Sequence, residues 1–585
     1  MAKKVYQLMN DNPVARWSAL ILIALMMFFG YMFVDVMSPI ESLLEAERGW
    51  SPSVFGTYAA GEYILNVCGF LIIAGIILDK MGIRFTGTLS ASLMLLGAII
   101  KFVGVNDAFQ TSSFCGWLDS WWVSMPGSAK MSALGFMIFG CGCEMAGITV
   151  SRAIAKWFNG KEMALAMGLE MAIARVGVFS VFSISPVIAK SFGTIVAPVA
   201  FCTLLLLIGL IFFLVFCVMD KKFDAQLGKG TSAEGESEEE FKVSDVGKIF
   251  GSKIFWVIAL LCVLYYSAIF PFQRYGANML QCNLGIDATT ASNIFRWFPI
   301  GAAVITPFLG AFLDNKGKGA TMLIWGSLLL ICCHLIFAFV VPATGSALIA
   351  YATIVILGIS FALVPAALWP SVPKVMNPRY LGSAYSLIFW VQNIGLCFVP
   401  LLIGNVLASS NSDNQIVKET KVFVDQYQEA SLAMDKDTIA FDTCYANLSK
   451  TYASIDKTYN GLAAEQKTPA VDTTYAAVTR TMKALEERRE NIITYINENP
   501  AQEKKPQAGF FDFLSKDKKA ETQLDKYRDA IDKHSGAIFV PYRFTVPLIL
   551  FASFGVIAFF IALYLKIIDK KNKYGLEEPN IKKDK

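Results

Sequence analysis

Lys156-Trp157-Phe158-Asn159-Gly160-Lys161-Glu162 is a short polar turn between two long apolar runs, residues 131–155 and 162–189. Each run reaches the roughly 20 apolar residues that a bilayer-spanning helix needs. Each also carries a charge well inside it, Glu144 in the first and Arg175 in the second. With the turn centred between Asn159 and Gly160, both charges lie about 23 Å from it along helices rising ~1.5 Å per residue. Two antiparallel helices therefore bring an acid and a base to one depth near mid-membrane. An ionisable group at that depth is costly, so it points first to function.

Composition agrees with that reading. Of 585 residues 55% are hydrophobic and 17% charged, with a mean hydropathy of +0.50. Such a chain is too apolar for a water-soluble domain and reads as an all-α polytopic membrane protein. The net charge of +4 gives no reason to expect a nucleic-acid partner. The cysteines fall mainly in apolar runs, as do Cys141, Cys143, Cys332 and Cys333, where they read as small packing residues. No CxxC pair with metal spacing occurs, and His334 and His534 cannot build a metal site between them, so no metal is expected. No nucleotide-binding loop is apparent and no cofactor is expected.

Twelve spans are expected, at roughly 17–38, 54–78, 84–104, 131–155, 162–189, 195–219, 253–279, 289–313, 320–341, 346–372, 380–408 and 542–568. Lys and Arg gather in alternate connections, which places both termini in the cytoplasm. The domain reading follows: a six-helix bundle over 1–219, a cytoplasmic linker over 220–250, helices 7–11 over 251–408, an external helical domain over 409–540, and helix 12 with a cytoplasmic tail over 541–585. Within the external stretch, Ile416 to Asp435, Thr474 to Ile496 and Thr522 to His534 have amphipathic helical spacing. That domain either steadies the membrane part or offers a surface for another protein or a second copy. The short N-terminus carries no acidic dileucine signal, so a bacterial cytoplasmic membrane is the expected location.

Two loops carry one pattern. Gly75-Ile76-Ile77-Leu78-Asp79-Lys80-Met81-Gly82-Ile83-Arg84 closes the second span and Gly310-Ala311-Phe312-Leu313-Asp314-Asn315-Lys316-Gly317-Lys318 closes the eighth. Glycines allow close helix contact and a tight turn. The aspartate can meet a neighbouring helix N-terminus or an arginine and latch one state shut. The duplicated pattern resembles the loop signature of the major facilitator superfamily. That resemblance implies twelve helices in two bundles and rocker-switch alternating access. The second copy departs from the first, with Asn315 where the first has Lys80.

Gly142-Cys143-Glu144, Trp157-Phe158-Asn159-Gly160-Lys161-Glu162, Ala174-Arg175-Val176-Gly177, Phe270-Pro271-Phe272, Trp369-Pro370-Ser371-Val372-Pro373 and Gln392-Asn393-Ile394-Gly395 together resemble the lysosomal dipeptide carriers of that superfamily, which pair with a glycosylated membrane protein. The resemblance implies that Glu144 and Arg175 hold the two ends of a dipeptide. Chemistry is compatible: a carboxylate accepts an ammonium, and a guanidinium fork fits a carboxylate. The alternative is a buried structural ion pair.

Weaker candidates complete the site. Tyr58, Glu62 and Asn66 share one face of the second span, with Glu62 a candidate proton carrier. Glu170 points to another side than Arg175. Asp35 lies near the outer end of the first span, as a gate contact or an interfacial group. Tyr265 and Tyr266 precede Pro271, which should kink the seventh span. Trp369, Trp390 and Asn393 are candidates for the wall, and Arg296 for a snorkelling group. Beside dipeptide transport, two readings stay open: a carrier of other small zwitterions or organic anions, proton-coupled or not, and a receptor or anchor working through the external domain.

Overall fold

The computed structural model describes residues 8–158, 161–227, 243–376, 381–434, 438–498 and 538–579. Among these residues, eleven helices are long and apolar enough to cross a membrane, or twelve if the bent pair Pro52–Val67 and Phe70–Leu78 counts as one. The first half contains α1 (Pro13–Val34), the short α2 (Glu41–Arg48), α3 (Pro52–Val67), α4 (Phe70–Val105), α5 (Gly127–Trp157), α6 (Met163–Phe192) and α7 (Val196–Leu227). After α8 (Val243–Phe250), the second half contains α9 (Lys253–Leu284), α10 (Ala288–Phe295), α11 (Trp297–Lys316), α12 (Gly319–Leu335), α13 (Ala347–Val375) and α14 (Leu381–Ser410). Then come α15 (Gln415–Met434), α16 (Thr438–Gly461), α17 (Pro469–Glu498) and the last span α18 (Thr545–Asn572). We call the face where α1 begins and α18 ends the near face, and the face carrying α15–α17 the far face.

Several spans are less regular than their apolar runs suggest. The second bends by 52° at Cys68–Gly69, where Gly69 takes φ 101. Gly82 of the first loop motif, at φ 76, turns the chain into the third span. The eighth span is divided at Arg296. Pro271, by contrast, sits inside a helix that continues unbroken to Leu284.

The two helices of the central hairpin pack chiefly on other elements, α5 along α4 and α6 along α1. Small residues make the α4–α5 approach: a Cβ on Gly97 would run into the backbone of Gly135 and Phe139, and one on Gly142 into Ser90 and Met94. In a membrane such close backbone contact replaces the hydrophobic drive. Gly97→Leu should therefore cost about 1–3 kcal/mol of overpacking or more, read as a lower thermal midpoint in detergent. An unchanged midpoint would mean that α4 and α5 are not held this closely.

The near face is tied within each half. Asp220 and Asp224 on α7 hold Arg84 at 3.0 and 2.5 Å and Lys156 at 2.8 and 2.6 Å. Arg16 meets Glu162 at 2.9 Å and Lys161 meets Asp11 at 2.7 Å. The Lys161 ammonium holds the Asp11 carboxyl below its ordinary range. In the second half the tail after α18 lies on the second motif loop. Lys318 N donates to Glu577 O at 3.0 Å, Gly319 N donates to Leu576 O at 2.9 Å, and the Glu577 carboxylate accepts from Thr321 N at 2.7 Å at the start of α12. Glu577→Ala removes a charged acceptor at a helix N-terminus, so about 0.5–2 kcal/mol of stability should go, again as a lower midpoint. A midpoint equal to that of the parent would show the tail undocked. Lys80 is exposed, and the side chain of Asp79 lies outside the described residues.

On the far face α15 and α16 pack side by side, α15 touches α2 of the first half, and α17 rests on the end of α9. Thr473 Oγ1 donates to Gly285 O at 2.8 Å and Tyr542 OH donates to Glu45 at 2.5 Å. The helical stretch expected at Thr522 to His534 lies outside the described residues.

Candidate functional site

Glu144 and Arg175 are both partly buried, neither fully exposed nor fully enclosed. They are not paired with each other. The electrostatic neighbours of Arg175 include Tyr266 and Tyr31, and those of Glu144 include Glu62, Tyr31 and Tyr63. The guanidinium carbon of Arg175 lies 4.6 Å from the ring centroid of Phe361 on α13, across the cleft. That contact steadies the cation through the ring face while leaving its N–H fork free to bind. Tyr31 of α1 is within electrostatic reach of Glu144, Glu170 and Arg175.

An aromatic wall continues from Phe361 in the second half. Trp369 Nε1 donates to Tyr266 OH at 3.2 Å, Trp369 stacks on Phe389 at 4.7 Å, and Tyr385 OH donates to Trp369 O at 3.1 Å. Thus Arg175, Tyr266 and Trp369 are brought together. Other candidates go elsewhere. Tyr265 is fully buried and turns its hydroxyl to Ser360, 2.9 Å from Ser360 Oγ. Trp390 Nε1 donates to Val67 O at 2.9 Å, tying α14 to α3. Asn393 is buried, with an Oδ1 that finds no partner among the described residues. Arg296 stacks over Phe179 at 5.2 Å and donates to Ser183 at 3.3 Å, so it links the halves rather than reaching for the membrane surface.

The far end of the cleft is shut by polar groups that cross between halves. Arg274 of α9 binds Asp35 at 2.8 Å and also binds Glu62. Gln273 donates to Asp35 at 2.6 Å, and Tyr275 OH lies 3.1 and 3.2 Å from the carbonyls of Pro52 and Pro400. Ser292 Oγ donates to Phe182 O at 2.5 Å. A Cβ on Gly56 would strike Pro400 and one on Gly404 would strike Pro52, so α3 and α14 touch backbone to backbone here. Tyr58 stacks on Phe136 with centroids 4.9 Å apart, and Asn66 bonds weakly to the carbonyls of Glu62 and Gly140 at 3.5 Å. Arg274, Gln273, Lys101, Tyr31 and Phe361 were not singled out from the sequence. The legible signal for Arg274 was a guanidinium inside an apolar span.

The family model described as Major Facilitator Superfamily matches residues 20–400. The chain belongs to the major facilitator superfamily. Curated relatives include the lysosomal dipeptide transporter MFSD1 of Homo sapiens, 26% identical over 345 residues, covering 57% of this chain and 68% of that one. The protein of the same name from Danio rerio is 27% identical over 409 residues, covering 68% and 82%. Among solved structures, a bacterial homolog of the human lysosomal transporter Spinster, inward-facing and unoccupied, superposes with a TM-score of 0.54 at 15% identity over 94% of this chain and 98% of its own. A point mutant of the nucleoside transporter NupG gives 0.52 at 12% identity over 68% and 93%. These two share the fold. As a member of the superfamily, this chain is a multi-pass membrane transporter and not an enzyme.

Proposed function

We propose that this transporter carries dipeptides by rocker-switch alternating access, with Glu144 receiving the peptide ammonium and Arg175 the peptide carboxylate. The observation that carries the reading is the separation of these two charges: each is partly buried, and each lacks the other as a partner. A buried structural pair would have closed on itself. A ligand bearing both signs at a nearly fixed spacing supplies what each lacks. The names of the curated relatives support the same cargo. Side chains would meet the aromatic wall of Tyr266, Phe361 and Trp369, which favours breadth over sequence preference.

In this reading the near face is cytoplasmic, the membrane is a bacterial cytoplasmic one, and the domains run 1–219, 220–250, 251–408, 409–540 and 541–585. The loop motifs (Gly75, Asp79, Lys80, Gly82 and Arg84; Gly310, Asp314, Gly317 and Lys318) steady the near-face latch. The insert is an external surface, open to a protein partner or a second copy.

Proteoliposome uptake of labelled dialanine tests the cargo. Unlabelled dipeptides should compete, whereas N-acetyl-dialanine, dialanine amide and free alanine should not. Equal competition by free amino acids or simple carboxylates would favour the smaller-zwitterion reading. Deleting residues 412–535 separates a carrier from a receptor: a carrier keeps flux, while a receptor loses its function.

A further inference from the structure

Around Arg274 the far gate gathers a cluster of four ionisable groups almost fully out of water: Asp35 at 1% exposure, Glu62 at 5%, Lys101 at 0% and Arg274 itself at 6%. Two are acids and two are bases, so the cluster balances. The distribution between halves does not balance. Asp35, Glu62 and Lys101 belong to the first half, and Arg274 belongs to the second. Lys101 is confined by rings, its ammonium 4.3 Å from the centroid of Phe33, 4.4 Å from that of Phe136 and 5.1 Å from that of Tyr58. It is held in the first half and cannot follow Arg274.

Any motion that parts the halves at this face removes the guanidinium and leaves two carboxylates facing one lysine. The carboxylate left in excess lies beside the candidate peptide site. Gly140 of α5 abuts the backbone of Glu62, and Glu144 follows Gly140 by four residues, about 6 Å along a helix. The charged and titratable groups around Glu62 are Tyr58 and Tyr63 on its own helix, Asp35 at the end of α1, Lys101 on α4, Cys143 and Glu144 on α5, and Arg274 on α9. With Arg274 withdrawn, three carboxylates, Asp35, Glu62 and Glu144, are left with Lys101 as their one cation in this group.

We infer that Glu62 is a second anchor for the peptide ammonium, used when the far face is open and masked by Arg274 when it is shut. An ammonium has three donors and can bond to Glu144 and Glu62 together. Closing the far face then returns Arg274 to Glu62, displaces the ammonium from it, and leaves the peptide on Glu144 and Arg175 alone. The cargo is held more tightly when it enters from the far face than when it leaves at the near face. A passive carrier must keep the same kcat/KM in both directions, so the lower far-face KM is matched by a lower inward kcat. This inference rests on the dipeptide reading and adds to it a state-dependent ligand.

The test is KM for dialanine measured separately from each face, in proteoliposomes of fixed orientation. Glu62→Gln should raise the far-face KM about ten- to a hundredfold, the size of one charge-assisted hydrogen bond, and leave the near-face KM within about twofold. The double variant Glu62→Gln/Arg274→Gln keeps Asp35 and Lys101 in balance, so it guards against misfolding, and it should reproduce the far-face rise. A far-face KM unchanged in both variants would overturn the inference. So would a loss of proton movement with KM unchanged, which would make Glu62 a proton site. Absence of dialanine uptake in the unmodified protein would instead overturn the dipeptide reading on which the inference rests.

Discussion

Arg175→Ala is expected to abolish dipeptide uptake while the protein still folds. Among the described residues the guanidinium has no carboxylate partner, and it lies over the face of Phe361 at 4.6 Å. Its loss therefore strands no buried acid and costs the fold one cation–π contact, about 1–2 kcal/mol. For the peptide the loss is larger. Its carboxylate would enter a cleft of low polarity with no cation to meet it, a cost of about 2–5 kcal/mol, or about 30- to several-thousandfold in affinity. Arg175→Lys should recover part of this, since lysine supplies the charge without the two-pronged geometry. The measurement is initial uptake of labelled dialanine, alongside a thermal midpoint to verify folding. Full uptake in a folded Arg175→Ala protein would remove this residue from the site.

Arg274→Ala should behave in the opposite way, damaging the fold before it touches the cargo. This guanidinium is bound to Asp35 at 2.8 Å, to the carbonyl of Val34 at 2.6 Å and to Glu62. Removing it leaves two carboxylates buried against a single lysine, and breaking one side of a buried charge network costs about 3–5 kcal/mol. The far face should loosen, and the thermal midpoint should fall more than for any other substitution considered above. Adding Glu62→Gln restores the charge balance and should recover much of the loss. If Arg274→Ala leaves the midpoint unchanged, these ion pairs do not hold the far face shut.

These two arginines also mark how far the sequence could be read. Spans were legible because lipid demands some twenty apolar residues in a row, and each expected run has a helix in the structure. The duplicated loop pattern named the superfamily, which the family model bears out. The break at Cys68–Gly69 was not legible, because the apolar run passes through it without a polar interruption. Arg274 was overlooked because its meaning lies in partners from the other half, Asp35 and Glu62, some 240 and 212 positions away. Local spacing carries no information about such a pairing. Tyr265 and Tyr266 show the same limit on a small scale. Neighbours on a helix point about 100° apart, so one turns to Ser360 inside its own half and the other to Arg175 across the cleft.

A binding matrix addresses the roles of Glu144 and Arg175 most directly. Affinities of dialanine, N-acetyl-dialanine and dialanine amide would be measured by calorimetry for the unmodified protein, Glu144→Gln and Arg175→Gln. If Glu144 holds the ammonium and Arg175 the carboxylate, acetylation should cost the unmodified protein and Arg175→Gln affinity but cost Glu144→Gln little. Amidation should likewise be penalised everywhere except in Arg175→Gln. Should both blocked peptides lose affinity equally in all three proteins, neither residue reads the end of the peptide assigned to it.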